Sequence, residues 1–233
     1  MADLTRVGYL PRTWRAPRYI RDLRELVQYR QQLANRRRSI KQRVQAVRRE
    51  HRIKGARAGA WTQTWIYWLR HHERLSETSR WLIEEHLQEL NWVQGRIDRV
   101  EAKLDESTEN DHVVQRLRRL PGIGAVTAWA LRASIGRFDR FRSAKALARY
   151  CGLSPKNDSS GDHRRQRGLI ADADRQLRAL LIQAGHRLLR RSDRWGQLGQ
   201  HLLAQGKAKS VAVAAVTNRW LRWIYHRMLE PEA

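Results

Sequence analysis

Cysteine is all but missing from this sequence: Cys151 is the single one in 233 residues. A lone thiol cannot close an internal disulfide, and with histidines scattered along the chain it makes no zinc-ligand pattern; a reducing cytoplasm is the expected compartment. Acid is scarce as well, with 23 Asp+Glu against 47 Lys+Arg and a formal net charge of +24. Apolar runs are short, Val211–Val216 being typical. No leader-like segment and no membrane span are therefore expected. The apolar/polar alternation of half-buried strands is also absent after residue 17, so the chain reads as all-α.

What is present is positive charge and helical periodicity. A field of this sign attracts polyanions, and nucleic acid is the commonest one in a cell; an anionic membrane surface is the alternative. Pro17 opens a long predicted helix that runs to Gly55. Leu26, Leu33, Ile40 and Val47 recur every seven residues, with Leu23 and Val44 on a companion row that Arg30 and Arg37 interrupt. From Arg36 to Arg57 ten Lys/Arg face only Glu50. A solvated face is one reading of that run. Unneutralised repulsion favours a phosphate-tracking face carried by Arg36, Arg37, Arg38, Lys41 and Arg43. Trp61, Trp65, Tyr67 and Trp68 fit core or dimer packing better than base stacking. Ser76 introduces a second long helix with Ile83, Leu90, Ile97 and Leu104 in heptad register, beside Val93 and Val100. The pair predicts an antiparallel coiled-coil hairpin or a dimerisation arm over residues 17–110, and with it a homo-oligomer.

The acidic stretch Asp105–Asp111 marks a boundary, and residues 111–233 read as a compact domain of short helices near 113–120, 124–134, 143–150, 172–190 and 207–228. Within it LRRLPGIGAVTAWAL, residues 117–131, has the shape of a helix-hairpin-helix. Gly122, Ile123 and Gly124 make its turn, where glycine permits torsions closed to other residues and leaves amides open to a phosphate. A plain packing turn is the alternative. Such a contact positions a backbone and carries no sequence code.

Residues 154–168, SPKNDSSGDHRRQRG, put Ser159, Ser160 and Gly161 in an expected loop crowded with cations. Ser-Ser-Gly is by default a solvated turn. A serine nucleophile needs a base and a charge-neutralising neighbourhood. Lys156, Arg164, Arg165 and Arg167 offer the second; Asp158, Asp162 and His163 are candidate proton acceptors.

The run LPGIGAVTAWALRASIGRFDRFRSAKALARYCGLSPKNDSSG closely resembles the C-terminal domain of the insertion-sequence one-ten family of transposases. The helical run ELVQYRQQLANRRRSIKQRV and the tail KSVAVAAVTNRWLRWIYHRML are similar to that family too. The family's Lys-Xaa-Gly-Asp/Asn segment is replaced here by Ala171-Asp172-Ala173-Asp174. The resemblance implies a recombinase of DNA whose serine, directly before the glycine, falls on Ser160 and forms a covalent phosphoserine. It implies a structured guide RNA as partner. It also implies metal-binding acids on a RuvC-like domain, of which residues 1–16 resemble only the end; Mg2+ is expected only where such a domain is supplied. A non-catalytic nucleic-acid-binding fragment of such a transposase is the alternative.

Overall fold

A computed structural model describes residues 14–55, 59–160, 163–170, 173–191 and 193–231, with 156–160 and 163–167 as backbone alone. Most of the expected domain remnant at 1–16 lies outside them. The chain divides into two compact units. One is Glu25–Ser107; the other joins the residues up to Arg24 to everything from Thr108 onward.

The first unit is built on two long helices, α1 (Arg18–Glu50) and α3 (Glu77–Thr108), with the short α2 (Gln63–Arg70) between them. Within it α1 and α3 run antiparallel: Arg30 donates to Glu101 at 2.7 Å, Arg37 to Gln94 at 2.7 Å and Arg36 to Glu89 at 2.8 Å. These bonds explain the impure seam. Arg30 and Arg37 stand on the apolar row because each meets a polar partner on the facing helix. Leu33, Ile40 and Val44 of α1 and Ile83, Leu87, Val93 and Ile97 of α3 are buried, with Val44, Ile83 and Leu87 in one cluster. The seven-residue repeat is thus filled inside the unit, and a second copy is not needed to cover it. At one end Trp65 and Leu69 of α2 join Val44, Ile53, Leu75 and Ile83 in a cluster on which Trp61 and Trp68 pack. The tryptophans serve the core, as their spacing suggests, while Tyr67 is exposed and lies against His71.

In the second unit α4 (His112–Arg118), α5 (Ala125–Ile135), α6 (Ala144–Tyr150), α7 (Arg175–Leu188), α8 (Arg194–Ala204) and α9 (Lys209–Leu229) enclose a core around α9. Val213, Val216, Trp220, Leu221 and Ile224 of α9 are buried. The helix meets α7 closely, because a Cβ on Gly185 would strike the Thr217 hydroxyl. Arg116 of α4 donates to the carbonyls of Arg227 and Glu230 at 2.5 and 2.6 Å, placing a cation at the negative end of α9. The fold is mostly helical, as the periodicity predicts. Its exception falls on the expected serine loop, which is an antiparallel hairpin of β1 (Pro155–Ser160) and β2 (His163–Leu169).

Candidate nucleic-acid interface and serine hairpin

The hairpin stands on a well-anchored base. Helix α6 ends in a left-handed turn at Gly152, φ +72°, with the Leu153 amide bonded to the Ala148 carbonyl at 2.9 Å. Leu153 is buried, and Asn218 of α9 donates to its carbonyl at 2.9 Å. Across the hairpin foot the Ile170 amide bonds the Ser154 carbonyl at 3.1 Å, and Arg178 of α7 donates to the Ile170 carbonyl. Asp174 caps α7 by accepting from the amides of Gln176 and Leu177.

Register then sorts the candidates. Ser160 pairs with His163, Ser159 with Arg164, Asp158 with Arg165, and Lys156 with Arg167. Directly paired residues share a face of a hairpin, and faces alternate along each strand. Ser160, His163, Asp158, Arg165, Lys156 and Arg167 therefore belong to one face; Ser159 and Arg164 belong to the other. Of the four cations expected near Ser160, three share its face and Arg164 does not. The irregularity at Pro155/Lys156 leaves Gly168, φ +48°, as the extra residue, so the two-residue alternation holds from Lys156 to Ser160. Gly161 and Asp162, the expected turn glycine and one proposed acceptor, lie outside the described residues.

The turn between α4 and α5 treats its glycines differently from expectation. Gly122 does occupy a left-handed conformation, φ +87°, but a Cβ there would meet Leu188 Cδ2 at 2.8 Å and Trp220 Cζ2 at 3.4 Å. It is bare because the core approaches it. Gly124 has φ −95° and ψ 174°, which any residue adopts, and open space where a Cβ would stand. It caps α5 without a side-chain bond; its carbonyl accepts from the Thr127 and Ala128 amides at 3.0 Å, and no side chain caps the amides before them. Ile123 is buried and pins the turn, and Trp220 donates to the Pro121 carbonyl at 3.0 Å.

The arm cations do not form one face. At 100° per residue, Arg36 and Arg43 flank the buried seam of α1 on one side and Arg37 and Lys41 on the other; Arg38 lies opposite it. Arg36 also lies 5.1 Å over the Trp92 ring, and Lys41 lies 4.7 Å over Trp61. Burial and the nearby Arg37 charge lower the Lys41 ammonium below the usual lysine range. Arg38 and Arg43 are exposed. A basic cavity at the end of α1 is lined in part by Arg74, which lies outside the cationic run Arg36–Arg57.

Two further observations bear on chemistry. Cys151 is fully buried and its thiol is pushed up to about 12, first by burial and then by the Asp174 charge, so it is inert as a nucleophile at neutral pH. Among the described residues no three His, Cys, Asp or Glu side chains gather as metal ligands. No helix among them is long and apolar enough to cross a membrane.

Residues 114–200, from α4 into α8 and including the hairpin, match the family described as Transposase IS116/IS110/IS902. The chain is 33% identical over 147 residues to a probable family 20 transposase of Pseudomonas aeruginosa, covering 61% of the chain and 44% of that protein. It is 36% identical over 76 residues to the transposase for insertion sequence element IS1111A of Coxiella burnetii, covering 33% of the chain and 21% of that protein. It is 30% identical over 119 residues to the pilin gene-inverting protein of Moraxella bovis, covering 50% and 37%. The chain thus spans less than half the length of these curated relatives.

Proposed function

We propose that this chain, related through residues 114–200 to the IS116/IS110/IS902 transposases, acts as part of a DNA transposase that cuts and rejoins strands through Ser160. The observation that carries the reading is the hairpin register, which sets Ser160 opposite His163 and on one face with Asp158, Lys156, Arg165 and Arg167. DNA is the substrate, held by its phosphates. The uncapped start of α5 beside Gly124 supplies backbone amides, and the hairpin cations neutralise the attacked phosphodiester.

In the reaction Ser160 Oγ forms a bond to phosphorus as one sugar–phosphate P–O bond breaks. The serine proton passes to His163, and the departing sugar oxygen takes up a proton. The phosphoserine keeps the bond energy of the diester, so attack by a sugar hydroxyl reseals the strand and frees Ser160 without a nucleotide cofactor. Where a RuvC-like domain is supplied, its own acids would hold Mg2+, which would add charge stabilisation, and a structured guide RNA would direct the choice of site.

In a reaction reconstituted with a RuvC-like domain and guide RNA, Ser160→Ala is expected to abolish a denaturation-resistant protein–DNA adduct. Ser159→Ala, on the other face, is expected to retain it. An adduct that survives Ser160→Ala assigns the chemistry elsewhere. DNA binding with no adduct from the parent chain supports a non-catalytic nucleic-acid-binding fragment instead.

A further inference from the structure

The end of α1 carries a feature that the serine chemistry does not use. A cavity of about 890 Å³ is lined by Arg48, Arg49, Arg52, Lys54 and Arg74, with Ile53, Gly55, His72 and Glu73. Its volume is in the range of ligand sites, roughly 300–1,000 Å³. Five permanent cations meet one carboxylate there. The unit as a whole, Glu25–Ser107, has 17 Lys+Arg and 11 Asp+Glu. Much of its excess charge is therefore gathered at one place.

The helix terminus does not need these arginines. Its last carbonyls are closed by the backbone: the Ile53 amide bonds the Arg48 carbonyl at 3.1 Å and the Arg52 amide bonds that of Arg49 at 2.9 Å. That double closure usually puts glycine at the left-handed residue. Here the residue is Arg52, φ +53°. A side chain in this conformation costs about 1 kcal/mol over glycine, and the fold gains no bond from its guanidinium that would offset it. Within the same wall the Nε of Arg48 is buried without a partner. Arg74 reaches only the Arg52 carbonyl, at 3.5 Å. A strained arginine, a buried donor left open and a guanidinium at long range together describe a site whose partner is an anion.

We infer that this cavity is a phosphate-binding site that takes the backbone of a nucleic acid, an inference that rests on the nucleic-acid-binding reading above and adds a second contact surface to it. Guanidinium groups match phosphate oxygens in paired hydrogen bonds, and the cavity has room for a bent stretch of backbone in place of a single ion. The ligand chemistry is the phosphodiester. DNA and RNA both offer it.

The test uses the full chain with labelled duplex DNA and, separately, an RNA hairpin. Arg52→Gly removes the guanidinium and places the residue best suited to φ +53°, so its thermal midpoint should equal or exceed the parent's. Its affinity should fall several-fold, and the slope of log affinity against log salt should drop by about one. Arg74→Gln should do the same while leaving Arg52 in place, giving up only a long 3.5 Å bond to the Arg52 carbonyl, and it decides the matter if Arg52→Gly melts early. A loss confined to one probe identifies the nucleic acid that occupies the cavity. Parent affinity and slope in both variants on both probes overturns the inference. Failure of the underlying reading looks different: there the parent itself binds neither probe in a salt-dependent way.

Discussion

Asp111 shows how much one side chain organises. It caps α4 by accepting from the amides of Val113 and Val114, takes the Tyr19 hydroxyl at 2.8 Å, and pairs with Arg132 Nε at 2.6 Å. Arg132 continues to the Gly136 carbonyl at the end of α5. Within the unit that joins the residues up to Arg24 to those from Thr108 onward, the first turn of α1 is thereby tied to α4 and α5. Burial pushes the Asp111 carboxyl up, but the hydrogen bonds from Arg132 and Tyr19, the Arg132 charge and the Val114 amide outweigh it and hold the group below its ordinary 3.8. Tyr19 is pushed up to about 12, by burial first and the Asp111 hydrogen bond second. A carboxyl lowered in the folded state stabilises it fully above the unfolded value and loses that contribution as pH falls through the folded one. Asp111→Asn should cost about 3 kcal/mol at neutral pH, since it leaves Arg132 buried without its charge partner. The gap between parent and variant should narrow once pH drops below 3.8, as thermal melts across an acid series would show. A gap that stays constant with pH would mean the carboxylate charge contributes nothing. From the sequence, Asp111 is legible only as part of an acidic boundary; its partners are 21 and 92 residues away along the chain.

At the scale of elements, legibility follows periodicity. The long helices and the rows that bury them were plain because seven-residue recurrence over many turns admits one reading. Helix α2 is not legible in the sequence, because its eight residues hold too few turns for a period to show. The Thr62 cap, accepting from the Trp65 amide at 3.2 Å, was the available signal. Helix α8 was hidden by Gly196 and Gly199, which lower helix propensity; each is small because a Cβ would strike Arg191 or Leu189. The β-hairpin has no apolar face to betray it, since polar and charged residues fill its strands. The α4–α5 turn is legible from its glycines, but of the two only Gly122 takes a torsion closed to other residues. Gly122→Ala should destabilise the fold by roughly 1–3 kcal/mol through the clash with Leu188 and the strained torsion. Gly124→Ala should leave the stability within about 0.5 kcal/mol of the parent, because its torsions are ordinary and its Cβ direction is open. Differential scanning calorimetry separates the two; equal losses at both positions would contradict this account of the turn.

For the molecule as a whole, the sequence places its emphasis on the arm, yet most of the net charge lies elsewhere. Outside Glu25–Ser107 there are 30 Lys+Arg and 12 Asp+Glu, an excess of 18, against an excess of 6 within it. The unit that carries the hairpin and the α4–α5 turn therefore holds three quarters of the field, and the arm adds its charge chiefly at one end. Charge that outnumbers its internal partners this far is released as binding energy only when counterions leave a polyanion. Contacts of this kind touch phosphates and not base edges, so they respond to salt far more than to sequence. The chain alone should bind duplexes of unrelated sequence with affinities within a few-fold of one another, and log affinity should fall linearly and steeply with log salt. Fluorescence anisotropy over a salt series, run on two duplexes of unlike composition, checks both statements. A shallow slope would mean the excess is spent inside the fold, and a large preference for one duplex would show that base contacts set the affinity.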